Sequence, residues 1–154
     1  MKKGIIFLPL VVFLLVMLVT ASAYAQVFNP ANGHYYELVT LVDISMTWSE
    51  ARDAAAAMTF NGMPGHLATV TSASEDSFIV STWPGIGSST RVWIGGTDAA
   101  IEGNWQWITS ESWSYTNWGG GEPSGDGNCL EYWDNSQWND EPCSNPKTLY
   151  LGGI

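Results

Sequence analysis

The sequence predicts an α+β protein, because two short helices come first and a series of short strands comes later. Both helices begin with a hydroxyl residue followed three positions later by Glu, the capping-box pattern, once at Thr47 and once at Ser72. An Ala-rich run over 51–58 follows the first cap and favours helix. The second helix is predicted to run to about Thr82, where a Pro-Gly pair stops it.

The remaining ordered segments have the composition and alternation of short strands. In segment 104–108, Trp105 and Trp107 fall on one face and Gln106 on the other, which is the period of a strand. The other predicted strands cover residues 35–42, 66–70, 91–94, 130–133, 137–138 and 148–151. No internal repeat and no second domain is evident, so residues 26–154 are predicted to form one domain.

Residues 1–25 are predicted to be a secretory signal peptide. Lys2 and Lys3 precede an apolar run over 4–19, and small residues around Tyr24 mark cleavage after Ala25. The alternative is an uncleaved membrane anchor, for which the run is barely long enough. We therefore expect a secreted, extracellular protein, or a periplasmic one in a bacterium, with no membrane insertion after cleavage.

The predicted mature chain is strongly acidic. It keeps three basic residues, Arg52, Arg91 and Lys147, against all fifteen acidic ones, a net charge of −12. Such a surface repels nucleic acid and anionic membranes, so neither is expected as a partner. Acidity suits solubility and cation binding alike, and composition does not choose between them.

A long segment over 109–128 has no periodicity and is rich in Gly, Ser, Asn and Trp. Loops of this length inside a compact domain are usually functional or disordered. Disorder is disfavoured here because Trp113, Tyr115 and Trp118 are costly to leave in water. A hard cation is a natural candidate for holding this loop from within.

Oxygen-bearing side chains are concentrated in segments 121–126 and 138–140, which offer carboxylates, an amide and a hydroxyl. Ca²⁺ takes about six to eight oxygen ligands of these kinds. Zinc would need His or Cys, and neither His34 nor His66 is near in sequence. Considered by spacing alone, an ordinary solvated turn fits these residues equally well.

The chain has two cysteines, Cys129 and Cys143. In an exported protein a disulfide is the default, and closing a loop of this size contributes about 2–4 kcal/mol. A two-cysteine metal site is the alternative, but CxxC spacing and nearby histidines are missing.

Taken in order, these motifs resemble the C-type lectin domain family. The resemblance covers about residues 33–152 and is carried by Trp48, Ala51, GHLAT at 65–69, Glu75, WIGG at 93–96, EGNWQW at 102–107, NW at 117–118, EPS at 122–124, Cys129, WND at 138–140 and Cys143. It implies a double-loop α+β fold with two helices and two small antiparallel sheets. It also implies a carbohydrate-binding module whose long loop holds calcium.

The resemblance implies a specific set of site residues. The expected calcium ligands are Glu122, Ser124, Asp126, Asn139 and Asp140. A cis peptide bond before Pro123 is expected to aim the flanking side chains at one ion. Two vicinal hydroxyls of a glycan would complete the calcium shell, with carbohydrate contacts from Glu122, Ser124, Asn139 and Asp140. Glu122 favours glycans of the mannose, fucose or glucose type.

The sequence departs from the family pattern at several positions. Ser124 stands where the mannose-type motif has Asn, and Gly127 stands where a further carboxylate is usual, with Asp126 as its stand-in. The outer disulfide of the family is absent, since its positions hold Ala55 and Gly152.

The resemblance also implies a candidate second metal site, with Asp98 and Glu102 at the spacing of the family's auxiliary site and Asn128 or Asp126 as a further ligand. The alternative is that Asp98 caps a turn and Glu102 has a structural role.

An enzyme is not expected, because the chain has neither an HExxH nor a GxSxG motif. The alternative to a calcium-dependent lectin is a calcium-independent module on the same fold that binds protein, as an adhesin does, or ice.

Most tryptophans are predicted to be core residues, with Trp118 and Trp138 under the long loop. Trp113 and Trp133 are candidates for ligand contact, and Glu131 and His66 are interpreted as structural.

Overall fold

The computed structural model describes residues 21–23, 26–88 and 90–154. Most of the predicted signal peptide, including its apolar run and the residues at the predicted cut, lies outside the described residues. In the part of the chain that is described, no helix has the length and apolar character needed to cross a membrane.

The described chain contains two helices and eleven short strands. The helices are α1 (Trp48–Ala57) and α2 (Ala73–Thr82). The strands are β1 (Ala21–Ala23), β2 (Val27–Phe28), β3 (Tyr35–Leu41), β4 (Thr59–Phe60), β5 (Met63–Pro64), β6 (His66–Leu67), β7 (Val92–Thr97), β8 (Gln106–Trp107), β9 (Cys129–Trp133), β10 (Gln137–Glu141) and β11 (Leu149–Gly153). A 3₁₀ turn, Asp134–Ser136, joins β9 to β10.

The predicted α+β class is confirmed, and the sheet is more continuous than expected. Nine strands within the described ranges form one mixed sheet with the central order β1-β3-β11-β7-β9-β10, while β4 and β5 form a separate hairpin. Strand β11 joins the two halves, because it pairs antiparallel with β3 and meets β7 in parallel at Tyr150 and Trp93. The hairpin β9–β10, which contains Asn139 and Asp140, is thereby attached to the central strands.

The two helix starts use their caps differently. Both halves of the predicted capping box are present at Thr47. At the second helix, the Ser72 side chain accepts from the Glu75 N–H, as predicted. The Glu75 carboxylate instead accepts from Thr71 N, 2.7 Å away, and from the Tyr36 hydroxyl. Glu75 therefore ties α2 to β3.

The long loop is held at its centre by aromatic packing. We call seven residues the aromatic cluster: Trp105, Trp107, Trp113, Tyr115, Trp118, Tyr132 and Trp138. The Trp138 ring is fully buried, and the rings of Trp107, Tyr115 and Trp118 lie edge-on to it at 5.6–6.0 Å. Such edge-to-face pairs add stabilisation beyond the area they bury. The predicted packing of Trp118 and Trp138 under the loop is confirmed.

Asp76 on α2 gives the same loop a polar anchor. Its carboxylate accepts from the hydroxyls of Tyr115 and Tyr132 at 3.2 and 2.5 Å, and from Asn117 Nδ2 at 3.0 Å. Burial raises the pKa of Asp76, although these hydrogen bonds act in the opposite direction. This part of the loop is thus ordered by the protein itself, and the expectation of a cation applies only to residues 121–127.

The end of the loop is pressed against β10. Cys129 and Cys143 form the predicted disulfide, which joins β9 to the segment after β10. A Cβ atom on Gly127 would lie 2.0 Å from the carbonyl carbon of Glu141, closer than any two unbonded atoms can approach. Close packing therefore excludes any side chain at position 127.

We expect Trp138→Ala to lower the free energy of unfolding by about 3–5 kcal/mol, because it removes the centre of the aromatic cluster. Chemical denaturation followed by far-UV circular dichroism measures this, with Gln137→Ala as the neighbouring control. Proteolysis within 109–128 should also become faster. An unchanged unfolding midpoint would show that the loop does not depend on this packing.

A matched pair of glycine substitutions tests the packing of the loop end. We expect Gly127→Ala to destabilise the protein by about 1–3 kcal/mol, since the new methyl group meets the backbone of Glu141. Gly120→Ala should change stability by less than ~1 kcal/mol, because nothing lies within 4 Å of its Cβ position. Equal melting temperatures for the two variants would contradict the predicted contact.

Candidate functional site

The carboxylate of Asp140 is the point at which the loop and β10 meet. Asp140 is buried, and its Oδ1 accepts from Ser124 N at 2.8 Å and Ser124 Oγ at 3.3 Å. Its Oδ2 accepts from Gly125 N at 2.7 Å and Gly127 N at 3.4 Å. The two oxygen-bearing segments singled out in the sequence are therefore in direct contact.

Glu122 lies beside Asp140 and has an oxygen without a partner. The Glu122–Pro123 peptide bond is cis, as expected. Glu122 Oε2 is buried and accepts no hydrogen bond. Burial raises the pKa of Glu122, and its hydrogen bond with the Asp140 carboxyl raises it further. Two acidic side chains thus lie side by side at a position where a cation would relieve their repulsion.

Asp140 is the member of this pair that stays ionised. Burial alone acts to raise the pKa of Asp140, but hydrogen bonds outweigh it and lower the pKa overall. The donors include the N–H groups of Ser124 and Gly125. The loop backbone therefore concentrates negative charge on Asp140.

Ser124 and Asp126 form the exposed edge of this group. Ser124 Oγ donates to Asp126 Oδ1 at 2.9 Å, and both residues are open to solvent. They are the members of the predicted site that an incoming ligand reaches first.

Asn139 points the other way. Neighbouring residues of a strand face opposite sides of the sheet, so Asn139 and Asp140 diverge. The Asn139 Nδ2 lies 3.2 Å from Glu131 Oε1 and 3.3 Å from Glu141 Oε2. Among the described residues, no hydrogen bond joins Asn139 to Glu122, Ser124 or Asp140.

Of the three candidate ligands of a second metal, Asp98 and Asn128 are joined by a backbone hydrogen bond, and Glu102 is not part of it. Asp98 is nearly buried, with Oδ2 accepting from Gly103 N at 2.8 Å and Oδ1 left without a partner. The backbone carbonyl of Asn128 accepts from the Asp98 N–H at 3.3 Å. The exposed carboxylate of Glu102 extends towards Gly125, and its Oε1 lies 3.6 Å from the point where a Cβ atom on Gly125 would be.

The donor chemistry of the site fits a hard cation. Its atoms are carboxylate, hydroxyl and amide oxygens, and buried oxygens of Glu122 and Asp98 have no hydrogen-bond donor. Over residues 26–88 and 90–154, no three His, Cys, Asp or Glu side chains converge as a group able to hold a metal. An ion here would therefore depend on non-acidic oxygens as well as on the carboxylates.

Sequence reasoning missed the surroundings of Asn139. The sequence patterns predict a structural role for Glu131 and no role for Glu141 or Lys147 beside Asn139. A signal was available, since Glu141 follows Asn139 by two residues and so shares its face of β10. Other interpretations agree with the structure, as His66 Nδ1 lies 2.8 Å from the Leu67 carbonyl.

Trp113 and Trp133, the two candidates for ligand contact, are partly buried. Trp113 packs against Trp107, with ring centroids 4.5 Å apart. The Trp133 ring lies 3.2 Å from the Cβ position of Gly119, so it covers the loop backbone. Packing accounts for both positions.

Comparison with known proteins identifies the fold and the family. Residues 44–150 match the family described as Lectin C-type domain. Perlucin from Haliotis laevigata is 37% identical over 90 residues, which cover 54% of this chain and 58% of perlucin. An alpha-N-acetylgalactosamine-specific lectin from Patiria pectinifera is 32% identical over 121 residues, covering 73% of this chain and 70% of that lectin. Halomucin from Haloquadratum walsbyi is 36% identical over 102 residues, but this chain spans only 1% of its length.

Solved structures share the fold at lower identity. The cow carbohydrate-recognition domain of CD23, solved in the presence of an oligosaccharide, superposes with a TM-score of 0.68 at 24% identity. The alignment covers 84% of this chain and 92% of that one. A calcium-independent type II antifreeze protein superposes with a TM-score of 0.66 at 22% identity, covering 85% and 96% of the two chains.

The family match extends over more than half of the chain and includes both the long loop and the Glu122–Asp140 contact. The protein therefore belongs to the C-type lectin domain family.

Proposed function

We propose that this protein binds glycans through a calcium ion held at the Glu122–Asp140 site. The observation that carries the proposal is the buried, unpartnered Oε2 of Glu122 beside the buried carboxylate of Asp140. A divalent cation would give the unpartnered oxygen a ligand bond and relieve the repulsion between the two carboxylates. The proposed ligands are the carboxylates of Glu122 and Asp140, the hydroxyl of Ser124 and the amide oxygen of Asn139, with Asp126 at the exposed edge.

Each residue has a distinct part in this proposal. Asp140 keeps its charge because the loop backbone donates to it, so it serves as the permanent anionic ligand. Glu122 supplies the carboxyl oxygen that has no hydrogen-bond partner within the protein. Calcium supplies coordination bonds to two vicinal hydroxyls of a sugar. Ser124 and Asp126, which face solvent, are available to hydrogen-bond those hydroxyls.

The glycan class follows from the acidic residue before Pro123. In the mannose-type motif of the family this position is Glu, so mannose, fucose or glucose glycans are the proposed ligands. A mature chain with a net charge of −12 is also suited to a calcium-containing extracellular medium. Secretion after removal of residues 1–25 is part of this proposal.

A second candidate function is calcium-independent binding of a protein or of ice. It is favoured by one observation, the saturation of Asp140 by donors from its own loop, which orders residues 124–127 without an ion. One structural relative is described as a calcium-independent antifreeze protein. The two functions differ in their response to chelation.

We expect EDTA to elute the protein from immobilised mannose.

Glu122→Gln should weaken calcium binding at least ~10-fold, because it removes a charged ligand. Substitution of residues that only support metal ligands already costs about 10–100-fold in metal affinity, so loss of a ligand itself should cost no less. Isothermal titration with calcium measures the effect, and Asp134→Asn is the control for loss of one exposed carboxylate outside the site. Mannose binding that survives both EDTA and Glu122→Gln would favour the calcium-independent function.

Ser124→Asn offers a test by gain of affinity. The amide adds an N–H donor towards a bound hydroxyl, and one net hydrogen bond contributes about 1 kcal/mol, or roughly fivefold in affinity. Competition by free mannose should therefore tighten by this factor in the presence of calcium. Ser112→Asn, at another exposed serine of the loop, should have no effect. Equal inhibition constants for the two variants would argue against glycan contact at position 124.

A further inference from the structure

The amide of Asn139 is enclosed by two carboxylates that the proposed function does not use. Glu131 is fully buried and lies directly opposite Asn139 in the pairing of β9 with β10. Glu141 is 8% exposed and occupies the same face of β10, two residues further along. Burying two carboxylates side by side is costly unless each is paired.

Arg91 and Lys147 supply that pairing. Arg91 Nη1 lies 3.1 Å from Glu131 Oε1 and 2.9 Å from Glu141 Oε2. Lys147 Nζ lies 3.2 Å from Glu131 Oε2 and 2.8 Å from Glu141 Oε1. Each carboxylate thus meets both cations, and we call these four residues the ion cluster. Two of the three basic residues beyond position 25 belong to it, although the same stretch carries fifteen acidic residues.

The ion cluster leaves the Asn139 amide one favourable orientation. Its nitrogen has two hydrogens, and the nitrogen lies within hydrogen-bond distance of Glu131 Oε1 and Glu141 Oε2. Rotating the amide by half a turn would bring its oxygen against both carboxylates, with no donor between them. Asn139 is 8% exposed, so water does not offer an equivalent set of partners.

We propose that Glu131 and Glu141, held by Arg91 and Lys147, are positioning residues that lock the Asn139 amide with its oxygen turned away from the ion cluster and available as a ligand. The role of the Asn139 oxygen as a ligand rests on the proposed calcium site, whereas the orientation of the amide does not. Asn139 then contributes oxygen to the ion, and both of its hydrogens remain on the ion cluster rather than on a glycan hydroxyl.

The orientation is tested in the wild-type, calcium-free protein by NMR. Both side-chain amide protons of Asn139 should exchange with solvent much more slowly than those of the exposed Asn104, because both are held by carboxylates. Exchange as fast as that of Asn104 would overturn the proposal without any variant.

Glu141→Ala then tests the link to the ion. We expect faster exchange of the Asn139 amide protons and a calcium affinity weaker by roughly tenfold or more, as for other outer-shell partners of metal ligands. Glu37→Ala is the matched control, because Glu37 is a similarly buried strand glutamate, 6% exposed, outside the ion cluster. It should change neither measurement.

The outcomes separate the two proposals. Wild-type protein that binds calcium, together with a Glu141→Ala variant of unchanged affinity and unchanged amide exchange, overturns the positioning role and leaves the calcium site standing. A protein that takes up no calcium but loses slow exchange in Glu141→Ala overturns the proposed function, while the amide lock is supported.

Discussion

The loop and the candidate site both depend on the hydrogen bonds that converge on Asp140. Three backbone N–H groups and the Ser124 hydroxyl, all from the four residues 124–127, point at one carboxylate on β10, the edge strand of the main sheet. The contact needs a glycine at 127, because the loop passes too close to Glu141 for any side chain. Asp140 thus fixes the end of a long segment that lacks regular structure, and it brings Glu122 to a position where one carboxyl oxygen has no donor.

β10 separates two different electrostatic environments. The face of Trp138 and Asp140 carries the aromatic cluster and the loop anchor, and the face of Asn139 and Glu141 carries the ion cluster. The first environment keeps negative charge at the loop, and the second neutralises buried carboxylates with two of the few cations in the chain. An ion placed between loop and strand would lie on the Asp140 face, so the ion cluster bears on its affinity only through the orientation of the Asn139 amide.

Much of the architecture was readable from local patterns. The hydroxyl-to-glutamate spacing located both helix starts, the Pro-Gly pair located the end of α2, and the predicted export signal together with Cys129 and Cys143 predicted the disulfide. The hydrogen-bond partners of the Glu75 carboxylate could not be predicted, because Thr71 and Tyr36 both lie outside its own helix. The cation expected to hold the whole loop proved unnecessary at its centre, where aromatic packing and Asp76 already order residues 113–119.

The sequence by itself determined the α+β class, the family resemblance and the two segments that bring oxygens together, because these depend on local spacing and on the order of motifs along the chain. Only the tertiary structure decided that Asn139 and Asp140 face opposite sides of β10, that Arg91 and Lys147 surround Glu131 and Glu141, and that Gly127 admits no side chain. The physical reason is that these facts concern contacts between residues 6 to 50 positions apart, whose approach is set by sheet register and close packing rather than by local preference.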